Sequence, residues 1–203
     1  IDHFRGFAGC WEIPASEPTA QKGRWVPSPG RALFRAIADA LGPLPIIAED
    51  LGVITPDVDA LRHEFGLPGM RILQFAWGED DTAERRFLPH RYEPDTVVYT
   101  GSHDNDTTLG WWASAPESTR HHLREYLATD GRAVHWDLIR AACASVADTA
   151  VYPLQDVMGL DGAHRMNFPG QSSGWWVWRF AWEQVPADAA ARLRRLCELY
   201  DRL

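Results

Sequence analysis

Apolar runs that predict short strands alternate with segments of helical spacing along this chain of 203 residues. Three of the runs adjoin clusters of polar residues, within residues 1–7, 46–52 and 99–106. This order is typical of parallel α/β proteins, in which active sites form at the carboxyl ends of strands. Roughly five strands, the first of them cut short, predict half to two-thirds of an eight-stranded barrel. A doubly wound open sheet is the alternative, disfavoured because no glycine-rich phosphate loop follows a strand.

Hydrophobic spacing and turn residues predict the individual elements. Helices are predicted over residues 31–41, 55–65, 118–128, 136–147 and 186–203, with a further helix beginning at 107–112. Strands are predicted over 44–48, 70–75, 96–99 and 150–154, and long loops over 14–30 and 78–94. Thr55 is the expected N-cap of its helix, with Pro56 at the first helical position. The run at 44–48 is almost wholly apolar, which predicts a strand buried on both faces.

The composition excludes several classes of function. A net charge of −8 without a Lys/Arg run argues against nucleic-acid binding. No apolar run approaches the roughly 20 residues that span a bilayer, so no membrane partner is expected. The three cysteines, Cys10, Cys143 and Cys197, form no CxxC pair and no metal-ligand pattern with the eight histidines. Free thiols are typical of a reducing compartment, which predicts a cytoplasmic protein.

The position of the first polar cluster predicts that these residues are part of a longer polypeptide. Asp2, a candidate active-site carboxylate, stands at the second residue. A catalytic side chain needs a rigid element to hold it, and here the preceding strand would be missing. We therefore expect upstream strands that complete the barrel.

Three carboxylates at three strand ends are the equipment for cleaving a glycosidic bond. Asp2, beside Arg5, is a candidate nucleophile that must stay ionised. Glu49 leaves an apolar run beside Asp50, and apolar surroundings and a like charge both raise a carboxyl pKa, as a proton donor requires. A third carboxylate, from the polar cluster at 103–106, could steady the positive charge that develops on the sugar. Adjacent strand residues point to opposite faces, so Glu49 and Asp50 are not expected to share a role.

Each motif also has a purely structural interpretation. Asp2 could cap a turn, and the pair at 49–50 could begin a helix. Residues 103–106 could form an Asx-rich loop or a divalent cation site, although His103 is better suited to donating hydrogen bonds to sugar hydroxyls. Most of the ten tryptophans are expected in the core, although some could stack on sugar rings.

Six short motifs together carry a family resemblance over essentially the whole chain. They lie at residues 1–7, 11–15, 48–52, 66–70, 103–107 and 165–170. This set resembles the 4-α-glucanotransferases of glycoside hydrolase family 77, known as amylomaltases or disproportionating enzymes.

The resemblance implies that residues 1–203 are the second half of a catalytic (β/α)8 barrel beginning at the end of strand 4. It implies that Asp2 is the nucleophile, Glu49 the general acid/base and Asp104 the transition-state stabiliser. Four further positions match residues that line sugar subsites in the family, namely Asp50, Phe75, His103 and Asn167.

The resemblance also implies a reaction. A donor α-1,4-glucan forms a covalent glucosyl-enzyme, and the 4-hydroxyl of glucose or of a maltooligosaccharide takes the sugar off with retention. No metal and no organic cofactor are expected. Two other functions stay open: an α-glucan hydrolase, which shares the first half-reaction, and a catalytically silent fragment. A half barrel exposes sheet edges, so the isolated chain is expected to be inactive and poorly soluble.

Overall fold

The computed structural model describes residues 1–78 and 84–203, which form two compact units, Ile1–Met70 and Arg71–Leu203. None of the helices in this described part combines the length and apolar character needed to cross a membrane. The predicted loop at 78–94 lies partly outside the described residues. Its remainder contains two 3₁₀ turns, Glu84–Phe87 and Pro89–Arg91.

The first unit contains a hairpin, two helices and an aromatic core. Its elements are β1 (Gly9–Glu12), β2 (Arg24–Pro27), α1 (Gly30–Leu41) and α2 (Pro56–Glu64). The buried core comprises Phe4, Phe34, Ala48, Val58, Leu61 and Leu67. The rings of Phe4 and Phe34 lie 5.7 Å apart, and Phe34 lies 5.4 Å from Phe65. Helix α2 has the predicted Thr55 N-cap position, followed by Pro56.

The chain from Gly69 onward contains a small sheet and a series of helices. Strands β3 (Gly69–Ile72), β4 (Thr96–Tyr99) and β5 (Thr149–Val151) form the sheet in that order. The helices are α3 (Thr108–Ser114), α4 (Glu117–Leu127), α5 (Val134–Ala144), α6 (Leu154–Met158) and α7 (Ala189–Leu199). β4 and β5 run parallel, with Val97 opposite Thr149. The apolar, β-branched residues of β4 are buried, as expected of a strand covered on both faces.

The structure corrects the predicted loop at 14–30. Its second half contains β2, which pairs antiparallel with β1. Trp11 and Trp25 stand opposite each other with their rings 5.5 Å apart, and Arg24 lies 3.2 Å from Glu12 across the hairpin. Such cross-strand pairs stabilise a sheet despite the flanking glycines and prolines.

The predicted buried strand at 44–48 is also wrong as stated. The segment is not assigned as a strand, and Leu44 is 40% exposed. It is nevertheless hydrogen-bonded on two sides: Ala48 N–H donates to Pro68 O at 2.9 Å, and the Ile1 amino group donates to Ile47 O at 2.6 Å. The segment is therefore extended but lacks the regular hydrogen-bond ladder of a β-strand.

Two further predicted strands are shorter than expected. β3 ends at Ile72 and passes into a 3₁₀ turn, Leu73–Phe75, while β5 ends at Val151. Pro153 then occupies the N-cap of α6, which places Asp156 in a helix rather than at a strand end. The helices predicted over 31–41, 55–65, 118–128 and 136–147 are confirmed within a few residues.

Arg202 holds the end of α5 in the second unit. Its guanidinium donates to four backbone carbonyls, those of Cys143, Ala147, Ala142 and Ser145, at 2.6, 2.9, 3.2 and 2.7 Å. The last carbonyls of a helix have no partner within the helix, so this arginine acts as a C-terminal cap.

We predict that Arg202→Ala destabilises the protein by about 1–3 kcal/mol, because several carbonyls lose a charged donor. Thermal unfolding of the full-length protein that contains this chain measures the effect as a lower Tm. The control is Arg195→Ala on the exposed side of α7, expected to change stability by less than about 0.5 kcal/mol. Equal melting temperatures for the two variants would contradict the capping role.

Candidate active site

Glu49 stands at the centre of a polar cluster in the first unit. Both backbone polar groups of Glu49 bind the segment at residues 1–4. Glu49 N–H donates to Ile1 O at 3.0 Å, and Phe4 N–H donates to Glu49 O at 3.1 Å. Its carboxylate accepts two further backbone bonds, from His3 N–H to Oε2 at 2.7 Å and from Leu51 N–H to Oε1 at 3.0 Å. The carboxyl is therefore held in one orientation.

The pKa of Glu49 is raised above its ordinary value, chiefly because partial burial disfavours the charged form. The two backbone N–H groups oppose this shift, and repulsion from the carboxylate of Asp2 adds to it. The raised pKa agrees with the expectation for a proton donor. The contributing like charge is that of Asp2, and not that of Asp50 as predicted from the sequence.

Asp2 lies beside Glu49 and is exposed to solvent. The next residue, His3, has φ +49°, a left-handed conformation that is uncommon outside glycine. This residue supplies the N–H that donates to Glu49, and a 3₁₀ turn begins at Phe4. Such strained conformations are frequent at functional sites, where the surrounding structure maintains them.

Asp50 points to a different environment from that of Glu49. It is 1% exposed, and its Oδ1 accepts from Met70 N–H at 2.7 Å. The Arg62 Nε lies 3.7 Å from Oδ2. A Cβ at position 69 would lie 2.5 Å from the same carboxylate, so only Gly69 allows the approach. The structure thus places Asp50 against the beginning of β3.

Asp104 lies in a polar turn that follows β4 in the second unit. Within the turn, Asn105 Oδ1 accepts from both the backbone N–H and the hydroxyl of Ser102, each at 2.9 Å. From outside it, the buried Gln74 donates through Nε2 to Asp106 O at 2.9 Å. A Cβ at Gly101 would lie 2.7 Å from that Gln74 nitrogen, which explains the glycine.

Three of the predicted site residues meet at this turn. Asn167 Nδ2 donates to Asp104 Oδ1 at 2.6 Å, and His103 Nε2 lies 3.5 Å from the same oxygen. The side chains of His103 and Asp104 are each 47% exposed. This is an accessible carboxylate with an oriented amide and an imidazole beside it, a combination that can bind the hydroxyl groups of a sugar.

Two residues near Asp104 received no role from the sequence. Arg165 donates through Nη2 to Asp104 O at 2.5 Å, and the ring of Trp176 lies 5.0 Å from that of His103. Trp176 has φ +66° and donates its N–H to Met166 O at 2.9 Å. Arg165 is the first residue of the motif at 165–170, which was a signal for it. No spacing rule singles out Trp176 among the clustered tryptophans.

Asp156 anchors both ends of the turn and was also missed. Its carboxylate is 1% exposed and accepts from Thr100 Oγ1 at 2.5 Å, from Thr108 N–H at 2.7 Å and from Thr108 Oγ1 at 2.8 Å. Burial raises its pKa above the ordinary value even though these donors favour the charged form. The residue joins the end of β4 to the beginning of α3.

The fourth predicted subsite residue, Phe75, lies in the 3₁₀ turn after β3. It is half-buried, and its ring packs edge-on against Phe87 with 5.4 Å between centroids. The adjacent residue is the Gln74 that supports the turn carrying Asp104.

Asp2, Glu49 and Asp50 belong to the first unit, whereas Phe75, His103, Asp104 and Asn167 belong to the second. Among residues 1–78 and 84–203, no group of three or more His, Cys, Asp or Glu residues is placed to hold a metal ion. The cation-site interpretation of 103–106 therefore gains no ligand set from the described structure.

Comparison with known proteins gives consistent matches over the full chain. A family model described as 4-alpha-glucanotransferase matches residues 1–184. The chain is 51% identical over 211 residues to the 4-alpha-glucanotransferase of Thermus thermophilus, and 48% identical over 205 residues to that of Synechocystis sp.. A chloroplastic/amyloplastic 4-alpha-glucanotransferase of Arabidopsis thaliana is 45% identical over 208 residues. All of this chain is covered in each case, but only 42%, 40% and 36% of the respective relatives.

The solved structures agree with the sequences. The amylomaltase of Streptococcus agalactiae, determined in complex with acarbose, superimposes with a TM-score of 0.93 at 34% identity. The match covers all of this chain and 41% of that protein. The chain therefore has an α/β fold similar to that of amylomaltase and belongs to the 4-alpha-glucanotransferase family.

Proposed function

We propose that this chain supplies the three catalytic carboxylates of a retaining 4-α-glucanotransferase. Family membership supports the proposal, and the observation that carries it is the placement of Glu49. Its carboxyl is held by two backbone N–H groups, and its pKa is raised by burial and by the neighbouring Asp2. An ionisable pair in which one carboxyl keeps its proton is what a retaining enzyme needs.

In the first half-reaction the Asp2 carboxylate attacks C1 of a donor α-1,4-glucan, and Glu49 gives its proton to the departing glycosidic oxygen. The bond from C1 to that oxygen breaks, and a covalent glucosyl-enzyme remains on Asp2. In the second, the 4-hydroxyl of an acceptor attacks C1 while Glu49 takes up the hydroxyl proton, which restores an α-1,4 bond. Asp104 stabilises the positive charge on the sugar in both transition states.

Three of the four remaining predicted residues, His103, Asn167 and Phe75, would bind sugar directly. His103 and Asn167 are accessible donors beside Asp104, suited to the hydroxyls of the reacting glucose. Phe75 offers a half-buried ring, and aromatic rings stack well on the apolar faces of sugars. The burial of Asp50 against Gly69 and Met70 fits support of β3 better than a direct sugar contact.

The proposed substrates are α-1,4-glucans and maltooligosaccharides as donors, with glucose or a maltooligosaccharide as acceptor. That a related amylomaltase was solved in complex with acarbose is consistent with oligosaccharide binding. Neither a metal nor an organic cofactor enters the proposed mechanism. We propose a cytoplasmic location for this chain, although some plant relatives are chloroplastic.

We propose that the 203 residues are the second half of the catalytic (β/α)8 barrel, starting at the end of strand 4. The parallel pairing of β4 with β5 and the likeness to amylomaltase support this architecture. The chain spans about 42% of the Thermus relative, so the proposed activity belongs to the longer protein.

The first test distinguishes transfer from hydrolysis. We expect the full-length protein that contains this chain to convert maltotriose into glucose and a ladder of longer maltodextrins, because acceptor sugar outcompetes water for the glucosyl-enzyme. Chromatography of the products provides the measurement. Glucose and maltose without longer products would indicate an α-glucan hydrolase instead. Asp2→Asn should remove either activity, because the nucleophile is lost.

The second test addresses Glu49 through pH. Because a deprotonated acid cannot protonate the leaving oxygen, the maltotriose rate should fall as pH rises through the raised pKa of Glu49. Glu49→Gln should lower kcat by about 10²–10⁴-fold and abolish this basic limb.

A maltosyl fluoride donor provides the matched control, because fluoride leaves without protonation. Glu49→Gln should then accumulate a glycosyl adduct on Asp2, visible by mass spectrometry, whereas Asp2→Asn should form none. A Glu49→Gln variant that keeps both the basic limb and the wild-type rate would overturn the assigned role.

The third test concerns the chain by itself. We expect the isolated 203 residues to be poorly soluble and inactive on maltotriose. A chimera in which they replace the matched 42% of the Thermus thermophilus relative should recover the maltodextrin ladder. An inactive but folded chimera would indicate a catalytically silent chain, and activity of the isolated residues would disprove the need for a completed barrel.

A further inference from the structure

Arg165 connects two separate stretches of the second unit. Its Nη2 donates to the backbone carbonyl of Asp104 at 2.5 Å, and its Nε donates to the backbone carbonyl of Asn167 at 2.6 Å. These two residues are themselves joined, since Asn167 Nδ2 donates to Asp104 Oδ1 at 2.6 Å. The Arg165 guanidinium thus binds the backbones of Asp104 and Asn167, the two residues whose side chains are hydrogen-bonded to each other.

The guanidinium is itself held in place. Its Cζ lies 4.4 Å from the centroid of the Phe168 ring, a distance at which a cation and an aromatic face attract each other. The segment is further tied by the bond from Trp176 N–H to Met166 O at 2.9 Å. Arg165 is half-buried, which strengthens its bonds relative to those of an exposed arginine.

We propose that Arg165 is a positioning residue for Asp104, an inference that rests on the proposed function of Asp104 as transition-state stabiliser. Arg165 holds the two backbones at the separation that lets the Asn167 amide bind Oδ1. The Asp104 side chain is 47% exposed, so burial alone does not fix its orientation. The orientation of the Asp104 carboxylate is fixed instead by its hydrogen bond from Asn167, which Arg165 keeps within reach.

Orientation matters because an electrostatic group lowers a barrier only when it is aimed at the developing charge before the reaction begins. Without Arg165, the turn at Asp104 and the segment at Asn167 would separate, and the Asp104 carboxylate would turn toward water. The bound substrate would lose less than the transition state, since Asp104 interacts most strongly when the sugar carries positive charge.

Lysine cannot replace this arrangement. The planar guanidinium presents donors in a rigid fork that reaches two carbonyls at once, whereas an ammonium is a point charge on a flexible stem. Arg165→Lys should therefore keep the charge and one bond but lose the connection between the two stretches.

The experiment measures kcat and KM for maltotriose in the full-length protein that contains this chain. Arg165→Ala should lower kcat by about 10²-fold, the effect of a displacement of roughly 1 Å, with KM changed less than about threefold. Arg165→Lys should fall between this variant and wild type. The matched control is Arg202→Ala, which also removes an arginine bound to backbone carbonyls of the second unit. It should lower Tm while leaving kcat near wild type.

A double-mutant cycle separates positioning from general destabilisation. In an Asp104→Asn background, Arg165→Ala should change the rate with maltotriosyl fluoride by less than about threefold, because the group it positions is already lost. An equal loss of rate in both backgrounds would overturn the proposal and leave Arg165 a purely structural residue. So would an Arg165→Ala variant with wild-type kcat.

The outcomes also separate this inference from the proposed function. A wild-type protein that makes no maltodextrin ladder and forms no adduct with the fluoride donor contradicts the proposed function itself. A wild-type protein that does both, with additive effects at positions 104 and 165, contradicts the role of Arg165 alone.

Discussion

The arrangement of the second unit depends on the buried carboxylate of Asp156. Its three hydrogen bonds from Thr100 and Thr108 connect the first residue after β4 to the first residue of α3. The turn between these anchors contains Asp104 and has little apolar surface of its own with which to hold a shape. Fixing both ends leaves the short polar turn few conformations, and the bonds from Gln74 and within the turn then select one.

Carboxylates in this chain divide by burial into two kinds. Asp50 and Asp156 are each 1% exposed and accept hydrogen bonds from the backbone of neighbouring elements. Asp2 and Asp104 are accessible, and the environment of Glu49 lies between these extremes. A buried carboxylate must be hydrogen-bonded, and that requirement makes it a precise link between segments. Each of the candidate site carboxylates Asp2, Glu49 and Asp104 thus has a buried carboxylate close to it in sequence or space.

The sequence predicted the helices and strand β4 better than it predicted the hairpin of β1 and β2 or the segment before Glu49. Periodic apolar residues define α1, α4 and α5, and the β-branched run at 96–99 identifies β4 without tertiary information. The hairpin at β1 and β2 was missed because its stability comes from the cross-strand contact of Trp11 with Trp25, which requires knowledge of the register. The segment before Glu49 was predicted as a regular strand from its apolar residues, whereas the structure shows an extended segment bonded to Ile1 and Pro68.

The motifs predicted the candidate site residues but not the residues that support them. The resemblance named Asp104, His103 and Asn167 as separate site positions, and the structure adds that these three side chains lie together. The supports did not follow, because Gln74, Arg165 and Asp156 act through backbone groups whose positions are known only in the folded chain.

Burial of Glu49 and Asp156 makes the stability of the fold depend on pH. For Glu49 and Asp156 the folded pKa is above the ordinary value, so the folded protein binds a proton more readily than the unfolded chain. Stability therefore declines as pH rises from the ordinary carboxyl pKa through the raised value, and the full cost is present above it. At Asp156 the cost is offset by three donors that fix the turn. At Glu49 the two backbone donors offset only part of it, so the pKa of this carboxyl stays above its ordinary value.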